Sequence, residues 1–180
     1  MSLRMMSGLP LRISQVLQDF LPAELDLIDA EEADGITTAD VPAANFYQWD
    51  GRWIPETPAC AIRMVSSTPI DVRTYLMGER MDASHRLDVI FHLTAGDIGP
   101  ADGTSNPVTM QALLARYING AMRVLCVRHE ALDTTADPTR YVELVTWAEP
   151  ATYGPEVEQE DGAVVRSATL PIAVRRREAR

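Results

Sequence analysis

Three histidines are the first candidates for chemistry in this sequence: His85, His92 and His129. His85 and His92 lie on either side of Asp88, in a stretch whose alternating apolar residues predict a strand. His92 then lies on the face opposite Phe91. A metal site needs three or four converging ligands, each oriented by further hydrogen bonds. This spacing does not bring such a set together, so we predict no metal site.

The two cysteines, Cys60 and Cys126, are far apart and lack the CxxC spacing of metal and redox motifs. No adjacent motif marks either one as a nucleophile. We interpret both as buried thiols of a protein kept in a reducing cytoplasm, not as a disulfide.

A polar loop between Asp97 and Asn106 resembles a calcium-binding loop at first sight. It lacks the alternating acidic ligands of such loops and the glutamate that closes them. Turn residues followed by a helix cap, Asn106 before Pro107, explain it better. The chain also contains no GxGxxG, GxxxxGK[ST] or GxSxG motif. We predict no catalytic residue, no cofactor and no enzymatic activity.

An aromatic hairpin is the clearest candidate for a contact surface. Asp50-Gly51 separates two aromatic-rich runs, which favours a two-residue turn. Trp49, Arg52 and Trp53 would then share one short ribbon, and such residues are typical anchors of protein interfaces. The alternative, that these rings cover the domain's own core, stays open.

A basic C-terminal tail, residues 175–180, is the second candidate, through Arg175, Arg176 and Arg177. Its alternative role is a solvated terminus that keeps the last strand from aggregating.

The charge distribution excludes a general nucleic-acid or anionic-membrane binder. The net charge is −10, whereas such proteins need positive charge to displace counterions. Residues 19–40 contain eight acids and no base, and we interpret residues 29–40 as an exposed loop. No apolar run approaches the ~18 residues of a membrane span, and the start carries no secretory signal.

The elements that must position these residues follow an α+β order. At 180 residues the chain fits a single domain, 1–180, with a flexible start at about residues 1–7. Apolar spacing predicts an N-terminal helix over residues 9–27, with Pro22 as a kink or a second start. Alternation predicts strands near Cys60–Met64 and Leu87–Leu93, and two more over residues 141–148 and 164–174. Pro171 indicates that the last strand lies at an edge or contains a bulge.

One long helix after Pro107 should cover a mostly antiparallel sheet together with the N-terminal helix. Its predicted core face contains Leu113, Leu114, Tyr117, Ile118, Ala121 and Leu125. Arg116 and Arg123 lie opposite, on a face that we expect to be exposed, so Arg116→Ala should cost little if the protein acts as a monomer. If this face forms a subunit interface, the two arginines should matter for assembly but not for folding.

The order of these elements resembles tail-terminator and neck proteins of long-tailed phages and gene transfer agents. The resemblance lies in the spacing of Ile13, Leu17 and Leu21, a strand bounded by Pro58, an alternating strand from Leu87, the long helix and the closing strands.

The resemblance implies a structural virion protein, made in the host cytoplasm and assembled into the tail or neck. It implies a ring, usually a hexamer, that contacts copies of itself, the tail tube and the head connector. DNA would pass through the lumen without tight binding, because acidic residues repel phosphates. We expect assembly through the sheet edges and the Trp49/Trp53 hairpin. One alternative is a small enzyme or ligand-binding domain with a pocket between sheet and helix. Another is a cytoplasmic interaction module.

Overall fold

A computed structural model describes seven stretches of the chain: residues 4–48, 56–69, 83–94, 107–132, 140–155, 157–158 and 164–178. Within them lie two α-helices, α1 (Arg4–Glu32) and α2 (Pro107–Val127). The strands are β1 (Phe46–Tyr47), β2 (Ala59–Pro69), β3 (Ala83–Thr94), β4 (Arg140–Trp147), β5 (Thr152–Tyr153), β6 (Val157–Glu158) and β7 (Val164–Glu178). Short 3-10 turns occupy Ala43–Asn45 and His129–Leu132.

The strands form one sheet in the order β1-β2-β3-β7-β4, and β5 and β6 also pair with β7. Every pairing is antiparallel except that of β1 with β2. The predicted α+β class, a mostly antiparallel sheet packed against two helices, is confirmed.

One face of the sheet carries the core because alternate residues of each strand share a face. Cys60, Phe91 and Ala168 are paired across β2, β3 and β7, and all three are buried. The two helices cover this face. The Phe91 ring stacks on the Tyr117 ring of α2, with centroids 5.2 Å apart.

The helices run antiparallel and cross closely. Arg116 of α2 contacts Asp29 near the end of α1, and Arg128, just after α2, lies over the Phe20 ring. A Cβ on Gly120 would lie 2.9 Å from Cδ1 of Leu21. Glycine at this position therefore lets the two helices approach.

α1 is longer than its apolar pattern predicts. It begins at Arg4, within the start predicted to be flexible, and passes through Pro22 without a break. It continues to Glu32 because Ile28 is buried and Asp29 binds α2. Ala33 then ends it with a positive φ of 49°. Residues 29–32 of the predicted acidic loop are thus helical.

The predicted edge position of the last strand is wrong. β7 lies inside the sheet, between β3 and β4. The Pro171 carbonyl accepts a hydrogen bond from the Ala148 N–H, at 2.9 Å, so it faces away from β3. The nitrogen of a strand residue points the same way as its carbonyl, so Pro171 removes no bond to β3. On the other side, pairing changes there from β4 at Ile172 to β5 at Thr169.

β7 also extends into the predicted basic tail. Arg175 pairs with Ser84 of β3, and Arg177 pairs with Tyr141 of β4. The backbone from 175 to 178 is therefore part of the sheet instead of a tail beyond it.

Candidate functional site

The predicted aromatic hairpin, with Trp49, Arg52 and Trp53, lies outside the described residues. Two residues of its predicted first arm, Phe46 and Tyr47, are described and form β1. They pair in parallel with Cys60 and Ala61 of β2. The interface role of the hairpin stays a prediction.

The three tail arginines lie in the backbone of β7. Arg175 is half-buried, beside Ser84 on one side and Leu144 on the other. Arg176 pairs with Ala83 and Val142. Their role in contacts with other molecules stays a prediction.

The predicted core residues of α2, Leu113, Leu114, Tyr117, Ile118, Ala121 and Leu125, are all buried. They lie in one cluster with the apolar residues of α1 and of the sheet.

The histidines of β3 do not converge. β3 and β7 pair in an unbroken register, so His85 and His92, seven residues apart, lie on opposite faces. Asp88 accepts a hydrogen bond from Arg63, and burial lowers the pKa of His92 to about 4, which keeps it neutral near pH 7. Within the described ranges, no three metal-binding side chains come together.

The two cysteines differ in environment. Cys60 is buried, and burial raises the pKa of its thiol, so it is a poor nucleophile. Cys126 is exposed at the end of α2, so the prediction that both thiols are buried is wrong for Cys126.

A polar cluster that the sequence did not reveal joins the end of α1, and the segment that follows it, to the middle of α2. The side chain of Arg116 is only 5% exposed. Its Nη1 donates to Asp29 Oδ1 at 2.7 Å and to the Ile36 carbonyl at 2.8 Å. Its Nη2 donates to Asp34 Oδ2 at 2.5 Å. We call Arg116, Asp29, Asp34 and Thr38 the arginine cluster.

Thr38 completes the arginine cluster. Its backbone N–H donates to Asp29 Oδ2 at 2.6 Å and its hydroxyl to Asp29 Oδ1 at 2.7 Å. One residue further on, the Tyr117 hydroxyl donates to the Ala39 carbonyl. The segment after α1 is thus fastened to α2 by side-chain bonds, although the sequence indicated an exposed loop.

The charges in the arginine cluster stabilise one another. Burial alone would raise the pKa of Asp29, but hydrogen bonds from Thr38 and Arg116 outweigh it and lower the pKa. The bond from Arg116 lowers the pKa of Asp34. Burial alone would lower the pKa of Arg116, but the bonds to Asp34 and Asp29 raise it. All three groups are therefore charged near neutral pH.

The expectation that Arg116 lies on an exposed face is wrong. It follows Leu113 by three residues and precedes the close crossing at Gly120 by four, so it lies at the border of the buried stripe. That spacing was the signal in the sequence from which the burial of Arg116 could have been predicted. The acids that accept from Arg116 are remote in sequence, which hid the pairing.

A groove of about 240 Å³ opens beside the arginine cluster. Glu32, Asp34, Arg116 and Asn119 contribute its polar lining. It lies between the two helices, whereas the alternative function predicted a pocket between sheet and helix. The Arg116 guanidinium in this lining already donates to three acceptors of the chain.

Two edges of the sheet carry exposed apolar residues. On β2, Val65 is 48% exposed at a bulge between Met64 and Ser66. On β4, Trp147 is 58% exposed. Trp147 is the third tryptophan, which the sequence analysis did not place at a contact surface.

These edges lack strand partners within the described chain. Beyond Ala61, β2 pairs only with β3, and β4 pairs only with β7. Rows of unpaired backbone N–H and C=O groups at an edge can pair with another strand. The described surface therefore offers two separate sites for strand addition.

Within the described residues, neither α1 nor α2 is long and apolar enough to cross a membrane. No protein-family model and no curated protein matches the chain.

Proposed function

We propose that this chain is a structural subunit of a phage-type tail or neck. In this role it assembles with copies of itself into a ring that terminates the tail tube and contacts the head connector. No catalytic step is part of this function.

The element order supports the proposal. The chain has, in sequence, an N-terminal helix, a strand preceded by Pro58, an alternating strand, a long helix and closing strands. These elements carry the resemblance to tail-terminator and neck proteins, and here they form one sheet covered by two helices.

The observation that carries the ring is a pair of open edges on opposite sides of the sheet: within the described residues, β2 beyond Ala61 and β4 each have one strand partner along that part of the strand. β2 and β4 are different surfaces, so a contact between them joins copies head to tail. Head-to-tail contacts produce closed rings when the rotation between copies closes. A sheet with a single open edge would pair with the same edge of a second copy, and assembly would stop at a dimer.

The acidic surface of α1 and of the segment that follows it suits a conduit for DNA. Arg116 and Arg123 bind some of the acids of this region. Others, Asp19, Asp26, Glu32 and Asp40, are exposed and form no ion pair within the described residues. If they face the lumen, they would repel phosphates and let DNA pass without tight binding.

Electron microscopy of the purified chain, alone and mixed with tail tubes, tests the proposal. We expect rings of uniform diameter alone and rings at one end of the tubes in the mixture. Single small particles that leave the tube ends bare would contradict it. A second sample, with a DNA-binding protein of similar size in place of this chain, controls for nonspecific decoration of tube ends.

A further inference from the structure

We infer that neighbouring copies join by antiparallel pairing of β4 in one copy with β2 in the next, with Trp147 beside Val65 of the neighbour. This inference rests on the proposed ring and names the surface that builds it.

The strand directions permit this pairing without turning a copy over. β2, β3, β7 and β4 are successive antiparallel neighbours, so β4 runs opposite to β2. When a second copy stands beside the first in the same orientation, its β2 runs antiparallel to the β4 that it meets. The alternating direction of neighbouring strands then continues from one copy to the next.

The register across the sheet sets which residues meet. Met64 pairs with Leu87, Leu87 with Ile172, and Ile172 with Trp147, so these residues form one row. Val65, next to Met64, is therefore level with Trp147 at the opposite edge. In a ring whose strands follow the ring axis, residues of equal height meet at the contact between copies. The two exposed apolar side chains of the edges would then lie at the same height in the contact, because the bulge leaves Val65 between the rows of Met64 and Ser66.

The bulges limit the length of the contact. Leu144 shares a row with Thr68 through Arg175 and Ser84. The bulge of β4, between Val142 and Leu144, lies beyond that row, where β2 ends at Pro69. Residues 144–147 thus form a regular stretch of β4 that can pair with the end of β2.

The occupant of each edge is a second copy because the two edges match each other. Both expose an apolar residue at about the same height, their directions are opposite, and neither has another strand partner beyond Ala61 in the described chain. Bulges can also protect an edge from pairing, so a protected, unoccupied edge is the outcome that the experiment must distinguish.

Cross-linking between single cysteines tests the contact. The double variant V65C/W147C is made in a C126S background, which removes the exposed natural thiol. Facing residues on neighbouring strands have Cβ atoms ~4.5–5.5 Å apart, and a shift of about 1 Å brings them to the ~3.5–4.5 Å of a disulfide, which mild oxidation then forms. We expect a ladder on a non-reducing gel, from dimer up to the complete ring, because each bond joins one copy to the next.

The single variants V65C and W147C are the controls. Neither has a cysteine partner across a head-to-tail contact, so we expect no ladder from either. A dimer from V65C alone would show that two β2 edges meet, which overturns the inference. L11C/W147C, with an equally exposed position on α1, should also give no ladder.

The outcomes separate this inference from the proposed function. A ring that persists without a ladder in V65C/W147C overturns the β2–β4 contact and leaves the ring intact. A chain that remains monomeric before any substitution contradicts the ring, and the contact with it.

Mixing edge variants gives a second test that needs no oxidation. V65E blocks β2 and W147E blocks β4, so each alone should be monomeric. Their mixture retains one intact edge of each kind and should give a one-to-one dimer and nothing larger. L11E should still form the ring. Rings from either edge variant alone, or no dimer in the mixture, would overturn the inference.

Discussion

Arg116 shows how one residue can have the sequence position of a surface cation and the environment of a core residue. Its guanidinium joins Asp29, Asp34 and the Ile36 carbonyl, so it fixes the chain that follows α1. The spacing of α2 placed it at the border of the core, but its acceptors lie about eighty residues away in sequence. Local side-chain periodicity does not predict pairing between residues so far apart in sequence.

Arg116→Ala should lower the free energy of unfolding by about 2–4 kcal/mol, because it leaves carboxylate and carbonyl groups without their donor. Partial exposure of Asp34 keeps the loss below that of a fully buried pair. Urea denaturation measures the change. The matched control is Arg123→Ala, whose partner Glu31 is exposed, so its loss should be much smaller than that of Arg116→Ala. Equal losses in the two variants would show that the arginine cluster adds no stability.

The arginine cluster also predicts a pH dependence. The pKa of folded Asp29 lies below its ordinary value of 3.8, so the stabilisation by its charge is present above pH 3.8. It is lost as the pH falls through the lower, folded pKa. The difference in unfolding free energy between the natural chain and Asp29→Asn should therefore shrink as the pH is lowered from 3.8 towards the pKa of folded Asp29. A difference that stays constant down to the pH of acid unfolding would contradict this assignment.

The cysteines predict different reactivity. A thiol reagent should modify Cys126 in the folded chain and reach Cys60 only after denaturation, because Cys60 is buried and its thiol is kept protonated. Mass spectrometry of digested, labelled protein identifies the modified residue. Rapid labelling of both in the native chain would mean that the region around β2 opens readily.

At the scale of elements, the sequence predicted most where the signal is local. The face of α2 and the alternation in β3 follow from side-chain periodicity alone, and both elements occur where periodicity places them. The end of α1 was missed because its last turn contains Asp29, Glu31 and Glu32, which look like loop residues. Asp29 and Glu31 bind arginines of α2, so tertiary bonds extend the helix.

Leu114→Ala should cost about 2–5 kcal/mol of unfolding free energy, since it empties a fully buried position beneath the sheet. Leu11→Ala removes the same atoms from an exposed position of α1 and should cost about 0.5 kcal/mol or less. Urea denaturation of the two variants side by side measures the difference. An unchanged stability of Leu114→Ala would mean that the helix face is assigned wrongly.

At the scale of the molecule, strand order was the feature that sequence could not supply. Pro171 favours an edge, yet β7 is central because its neighbour changes from β4 to β5 beside the proline. Among the described strands, β2 beyond Ala61 and β4 therefore lie at the two edges of the sheet. The predicted hairpin around Trp49 and Trp53 lies outside the described residues, and the contact that we propose between copies contains the third tryptophan, Trp147.

The mass of the native particle tests the central claim, head-to-tail assembly into a closed ring, most directly. Native mass spectrometry, with sedimentation velocity at several concentrations, measures it. We predict one closed species whose mass is a fixed multiple of the 19.9 kDa chain, with six as the multiple that the resemblance implies. A closed ring leaves no edge open, so its mass should not grow with concentration. A monomer of 19.9 kDa at every concentration, or a two-fold dimer that grows no further, would contradict the account.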